Sequence, residues 1–283
     1  QFDPSYFFAD FPGAINAETQ FSVEKPADKD WQGRVQISNL GGNLRGRNLA
    51  GKADVRFEGV NLAGSADIRI GSSKLVMEGR DGKVLDVVIN ADPLQLNDLH
   101  PSWQGRIQGR TQWRGTRQNP QLTADLSGSG VKIFDYQIDS FQLQVDTDNA
   151  RQSRLTARNL RINDQDIEAL DIKIDGHWRN AAYQASIRAP SLAADSNGRI
   201  QFQTLSVFQI TPNALQLDGP EIGQWQLKSP VEVKVSNGGY RFTPFCLITD
   251  RHAASLCAED DGDNIALLGK DFPLAMLEPW LNN

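Results

Sequence analysis

Few residues in this chain of 283 could carry chemistry. Its three histidines, His100, His177 and His252, lie far apart, and none has a motif around it. A histidine so placed reads as a surface or hydrogen-bonded core residue rather than a general base. Carboxylates are more abundant. Asp139, Asp146, Asp148, Asp171 and Asp175 alternate with apolar neighbours, which places them on a solvated face. A glycosidase-like pair drawn from distant segments stays open as an alternative. The run Glu259-Asp260-Asp261-Gly262-Asp263 has the acidity of a calcium loop. It lacks that loop's ligand register and closing glutamate, and reads as a solvated turn. Gly41-Gly42 and the other glycines fit turns between strands, not the strand-to-helix junction of a phosphate cradle. Cys246 and Cys257 frame a stretch with apolar ends and a polar turn at 249–252. Two antiparallel strands joined there bring the pair together, and either a disulfide or two buried thiols fits that placement. No catalytic site and no metal site is expected.

Composition sets wider bounds. The hydrophobic fraction of 39% and charged fraction of 23% are those of a folded chain, one large domain or two ordinary ones. No run of about 18 apolar residues is present, so no helix-type membrane span is expected. A net charge of −6 and a pI near 5.2 lack the basic stripe of a nucleic-acid binder, and no nucleic-acid partner is expected. The chain opens on Gln1 without a signal-peptide pattern, as expected of a piece of a larger or processed protein.

The elements that must position these residues are strands. Period-2 alternation puts Ala53, Val55 and Phe57 on one side, and likewise Ala66, Ile68 and Ile70. It does the same for Leu122, Ala124 and Leu126, and for Phe141, Leu143 and Val145. Leu170, Ile172 and Ile174 follow, then Tyr183, Ala185, Ile187 and Ala189, then Val231, Val233 and Val235. Further strands carry Val35 and Ile37, Ile200 and Phe202, and Trp225 and Leu227. Turn signals are read at Gly41-Gly42, Asp81-Gly82, Ser127-Gly128, Asn197-Gly198, Asn237-Gly238 and Gly262-Asp263. The pattern predicts an all-β, mainly antiparallel sheet with one apolar and one solvated face.

Helix signals are thin: Pro93–His100 and Phe272–Leu281 each suit a turn or two before a proline. A one-faced apolar sheet must still cover that face. It can pack on a second sheet, close into a barrel, or curl around a ligand, and alternation alone does not choose. Internal echoes favour an array. Trp31-Gln32-Gly33-Arg34-Val35-Gln36 recurs as Trp103-Gln104-Gly105-Arg106-Ile107-Gln108. The stretch 11–17 loosely resembles 101–109, and 94–101 is echoed by 274–279. Stacked β units of this kind extend lengthwise. They suggest one continuous segment over 1–283 with repeat modules 1–99 and 100–283.

Two segments carry a family resemblance. Pro93–Gly115 followed by Asn119-Pro120-Gln121-Leu122 is similar to the repeat of the TamB family of AsmA-like envelope proteins. That repeat is a short leucine-rich turn, a proline, then G-x-[IL]-x-G strands and a P-x-L restart. Cys246–Cys257 followed by Phe272–Leu281 resembles the family's cysteine-framed strand pair before its next leucine-rich turn. The resemblance covers most of the chain, in order. It implies an elongated, curved β-taco with an apolar trough, as an internal periplasmic segment of an inner-membrane-anchored protein. The family's partners are an outer-membrane barrel, TamA, met through regions outside this segment, and the inner membrane, met through an N-terminal anchor. The implied cargo is phospholipid, with no cofactor, and the implied role lies in lipid transfer and outer-membrane assembly. A disulfide between Cys246 and Cys257 is implied by the oxidising periplasm.

On this reading the trough candidates are Val35, Ile37, Val55, Phe57, Ile68, Ile70, Leu122, Leu126, Phe141, Leu143 and Val145 in the first half. In the second half they are Leu170, Ile172, Ile174, Ile187, Ile200, Phe202, Trp225, Leu227, Val231, Val233 and Val235. Two alternatives stand beside it. One is a chaperone or spacer that guides outer-membrane strands by strand addition. The other is a carbohydrate-acting β protein, against which the dispersal of Trp31, Trp103, Trp113, Trp178, Trp225 and Trp280 counts.

Overall fold

The computed structural model describes residues 2–7, 9–116, 119–147, 152–162, 165–177, 179–204, 206–236, 238–249, 254–262 and 264–271. His252, Trp178, Trp280, Asp148 and the turn expected at Phe272–Leu281 lie outside them. The described chain is an all-β protein with antiparallel pairing, as alternation requires. It divides into two compact units, Gln1–Asp148 and Asn149–Asn283.

The first unit is a meander. Its described strands are β1 (Gly13–Glu24), β2 (Gln32–Leu44), β3 (Arg47–Glu58), β4 (Asn61–Ile70) and β5 (Ser73–Asp81), then β6 (Leu85–Gln95), β7 (Gln104–Thr116), β8 (Asn119–Ile133) and β9 (Tyr136–Asp146). Each pairs antiparallel with the next. β1 and β9 do not pair with each other, so the unit does not close into a barrel. The echoed Trp-Gln-Gly-Arg segments open β2 and β7. Among the described residues the one helical turn in the sheet is α1 (Leu96–Leu99), between β6 and β7. It ends before Pro101, as the sequence suggests.

Register fixes the faces, because directly opposed residues project to the same side. Val35 opposes Val55, Phe57 opposes Leu62, and Ile68 opposes Leu75. Farther along, Met77 opposes Ile89, Val87 opposes Trp113, Trp113 opposes Leu122, and Leu126 opposes Leu143. These rows make one apolar face from β1 to β9. The opposite face carries Arg34, Asp54, Arg56, Glu78, Arg80, Asp86, Asp125 and Gln144.

Three expected turns lie inside strands. Gly41-Gly42 is within β2 and Ser127-Gly128 within β8. Asn197-Gly198 is within β13 (Leu192–Thr204). Close packing, not chain reversal, explains a glycine at each of these, a Cβ on Gly42 standing 2.1 Å from the Ala14 carbonyl oxygen. A Cβ on Gly128 would stand 2.1 Å from the Phe141 ring, and one on Gly198 would stand 2.1 Å from the Thr211 carbonyl oxygen. Gly64 and Gly79, also on the apolar face, are likewise confined, each with a backbone oxygen of a neighbouring strand 2.4 Å from a built Cβ. Asp81-Gly82, by contrast, ends β5 and opens the turn into β6.

The second unit begins as another meander: β10 (Ser153–Ile162), β11 (Gln165–His177), β12 (Asn180–Ala189), β13 and β14 (Val207–Gly219). One edge of β14 then receives two short strands. β15 (Gly223–Leu227) pairs with Gln216–Gly219, and β16 (Val233–Ser236) with Phe208–Ile210. Their registers nearly continue each other, so they form one strand line interrupted around Pro230. Proline lacks the N–H that a ladder needs. The expected strand through Val231, Val233 and Val235 therefore begins only at Val233. β17 (Gly239–Phe242) and β18 (Phe245–Ile248) form a second such line, broken at Pro244. Thr243 bridges the first break: its N–H donates to the Glu232 carbonyl at 2.9 Å, and its hydroxyl accepts the Glu232 N–H at 2.9 Å. β19 (Ser255–Asp260) pairs with β18, and β20 (Ile265–Lys270) with β19.

Candidate functional site

Among the described residues of the first unit, no second layer lies over the apolar face. Among the described residues its fully buried apolar side chains are Leu49, Leu96, Ala124 and Val131. The face itself stays half-open: Phe21 is 77% exposed, Val23 52%, Leu62 49% and Trp113 40%. Val35, Val55 and Met77 also remain exposed. The first-half trough candidates Val35, Ile37, Val55, Phe57, Ile68, Ile70, Leu122, Leu126, Phe141, Leu143 and Val145 all share this face. A sandwich would have dried these side chains.

In the second unit Leu170, Ile172, Ile174, Ile187, Ile200 and Phe202 share one face, and Trp225, Leu227, Val233 and Val235 extend it. Here the environment varies along the row. Trp225, Val231 and Ile200 are buried, and the Trp225 indole N–H donates to the Ile222 carbonyl at 2.9 Å. Tyr183 and Ser196 place a polar spot on this face, their hydroxyls 2.9 Å apart. Burial pushes the Tyr183 hydroxyl pKa upward, against the hydrogen bond from Ser196.

The ends of the strands define two unlike rims of the first unit. At one, α1 is latched onto the β4–β5 turn by Asp98, whose side chain is fully buried. The Asp98 carboxylate accepts from the Ser72 N–H at 3.2 Å, the Ser73 N–H at 3.1 Å and the Ser73 hydroxyl at 2.7 Å. Arg47 pairs with its other oxygen. The Ser73 hydroxyl in turn accepts the Gln95 N–H at 2.8 Å, and Arg45 donates to the Asn97 carbonyl at 3.3 Å. Leu49 and Leu96 are dry at this end. The opposite rim, formed by the β1–β2, β3–β4 and β5–β6 turns, exposes Trp31, Val60 and Val84. Sequence reasoning did not find the latch. Asp98 lies 25 residues from Ser73, and nothing in the spacing joins them.

The polar face carries ion pairs. Arg34 holds Asp54 through two hydrogen bonds. That hydrogen bond is the main cause that lowers the Asp54 pKa and raises that of Arg34. Arg154 binds Asp171 at 2.5 Å, and Arg188 holds Asp195. His100 sits in the turn after α1, its ring 2.8 Å from the Ser102 hydroxyl, and His177 accepts the Arg179 N–H at 3.2 Å. These two histidines and the strand carboxylates are not brought into one cluster. Asp260 of the acidic turn accepts from Arg241 and from the Phe242 and Gly262 N–H groups.

Cys246 and Cys257 are opposed in register on β18 and β19, with Cα atoms 4.0 Å apart and their sulfurs joined. In the same register Leu247 opposes Leu227 and Leu256. The disulfide therefore projects to the side away from the Leu227 row.

No helix among the described residues is long and apolar enough to cross a membrane. Comparison with curated proteins and with solved structures returns no match. The family profile described as "TamB, N-terminal domain" matches residues 1–283. An open antiparallel sheet with an uncovered apolar face, matched over its full length by that profile, belongs to the TamB family of the Gram-negative envelope.

Proposed function

We propose that this chain is a periplasmic, non-enzymatic trough segment that holds phospholipid acyl chains and lets them slide between the inner and outer membranes. The observation that carries this reading is the uncovered apolar face of the first unit. Each CH₂ group buried there contributes about 0.8 kcal/mol. Many weak, equivalent contacts hold a chain without fixing its position. Support for outer-membrane assembly rests on the family, whose members work in transport and assembly. Contact with a TamA-type barrel and with the inner membrane belongs to this proposal. Mass spectrometry of the purified chain is expected to find co-purifying phospholipid. Leu143→Arg puts a charge on the half-open face and is expected to abolish that lipid while circular dichroism stays unchanged. A folded Leu143→Arg chain that keeps its lipid would sink the trough.

A second reading, a chaperone that binds client strands, has one observation in its favour. The outer edge of β1 carries only an isolated bridge, Phe2 to Ile15, among the described residues. Photo-crosslinkers at Ser22 on β1 should capture peptide on this reading, whereas crosslinkers at Val55 should capture lipid on the first.

A further inference from the structure

The two rims of the first unit differ in what their turns present. At the latched rim the β2–β3 and β4–β5 turns are Arg45-Gly46 and Gly71-Ser72. Phe134, in the β8–β9 turn, is the one exposed large apolar side chain among that rim's described turns. At the other, open rim each of the β1–β2, β3–β4 and β5–β6 turns carries one. Val60 is 85% exposed, Trp31 55% and Val84 48%. The strand pattern does not require this, because a turn tip lies outside both faces and is ordinarily polar.

The meander aligns these tips. Turns two strands apart fall on the same rim, about 9.5 Å from each other, so the three side chains form a row about 19 Å long. The first two turns are joined: the Gly59 N–H donates to the Trp31 carbonyl at 2.8 Å. Just inside the row, Val23 and Leu62 on the apolar face are half-exposed.

The layout selects the partner. Hot spots of a protein interface gather in one desolvated cluster. These side chains are strung along a line, and a fluid apolar layer can meet all of them at once. Tryptophan and lysine suit a bilayer interface, the ring lying at headgroup level and the ammonium rising towards the phosphates. Both are here. Lys25 Nζ lies over the Trp31 ring, 5.7 Å from its centroid, and Lys29 and Lys83 belong to the same turns. Carboxylates offset them. Lys25, Lys29 and Lys83 stand with Glu24, Asp28, Asp30, Glu58 and Asp81, a net charge of −2 (3 − 5). An anionic membrane gains nothing from that balance, whereas a zwitterionic one is not repelled.

We propose that the open rim of the first unit, through Trp31, Val60 and Val84, docks on the interface of a zwitterionic phospholipid bilayer. The inference rests on the membrane contact proposed above and needs no lipid inside the trough.

The test is co-sedimentation of the 283-residue chain with phosphatidylcholine vesicles. The triple variant W31S/V60S/V84S removes the tips and is expected to bind at least roughly tenfold more weakly, with circular dichroism unchanged. V60S alone, at the most exposed tip, is expected to bind about threefold more weakly and decides the matter if the triple variant unfolds. F134N removes an exposed side chain at the latched rim, and Leu143→Arg places a charge on the trough face. Both are expected to bind within about twofold of the parent, as is the parent when about a fifth of the lipid is phosphatidylglycerol. No binding by the parent overturns the rim contact and leaves the trough, which co-purifying lipid reports separately. Binding unchanged in the tip variants also overturns it. Equal losses in the triple variant and F134N would show general adhesion of exposed apolar groups and overturn the rim. A strong gain with phosphatidylglycerol would show electrostatic adsorption, and a loss with Leu143→Arg would show uptake of lipid into the trough as the cause of binding; either result overturns the rim contact.

Discussion

Replacing Asp98 with alanine removes the one carboxylate that ties α1 to the β4–β5 turn. Three donors lose their acceptor: the Ser72 N–H, the Ser73 N–H and the Ser73 hydroxyl. Ser72 is exposed and regains water. The Ser73 hydroxyl keeps a contact to the Gln95 carbonyl at 3.3 Å. The Ser73 N–H is buried and has no substitute, which costs about 1–3 kcal/mol. Arg47 also loses its partner, but its side chain is 32% exposed and recovers part of its hydration. The cost therefore falls below the roughly 3–5 kcal/mol of a fully buried broken pair. The sum is about 3 kcal/mol for Asp98→Ala. For Asp98→Asn, which keeps one acceptor oxygen for Ser73, about half that is expected. The assay is hydrogen exchange of the Ser73 amide and the α1 amides, because unfolding of a two-unit chain is not a single transition. The Ser73 amide should exchange about a hundredfold faster in Asp98→Ala. A double-mutant cycle with Arg47→Met should give a coupling near 1 kcal/mol. Exchange within twofold of the parent would refute the latch as a source of stability at this rim.

Three other expectations follow from the same geometry. Gly64→Val forces a side chain to within 2.4 Å of the Asp54 carbonyl oxygen and should destabilise the first unit by about 2–3 kcal/mol, read from hydrogen exchange of the β3 and β4 amides; unchanged exchange there would refute the crowding. Cys246→Ser/Cys257→Ser opens a loop with a sequence separation of 11 and should cost the second unit about 3 kcal/mol, with the first unit's hydrogen exchange unaltered. Asp54 has a lowered pKa in the fold, so its contribution is present above the ordinary carboxylate pKa and is lost as pH falls through the folded value. Acid titration of Arg34→Met should accordingly show a shallower loss of stability below about pH 4 than the parent chain, and parallel curves would count against the pair.

The strands were legible because alternation encodes a face directly. Ala53, Val55 and Phe57 already name one side of β3, and Leu143 names the inner side of β9. Whether that face is covered is not written in any one strand, since a sandwich and a trough use the same pattern. Glycine misled for a physical reason. Ser127-Gly128 has turn composition, yet Gly128 serves the Phe141 ring on the neighbouring strand, a contact across 13 residues that no local window shows. Asp98 was invisible for a similar reason: an aspartate in a short polar-apolar run reads as solvated until the Gly71–Ser73 turn closes over it. The cysteine pair was legible as a hairpin. Its side of the sheet followed only from the register with Leu227.

The meander of the first unit has a consequence for how the chain is made. Every pairing joins a strand to its neighbour in sequence, through turns of a few residues. Contacts are therefore local, and local contacts form early and quickly. A strand emerging from a narrow channel finds its partner already waiting and needs nothing that follows it. Assembly then resembles the closing of a zip, from first strand to last, each new strand pairing with the edge left by the one before it. Each added hairpin lengthens the apolar face by about 10 Å, two inter-strand spacings, without altering those already formed.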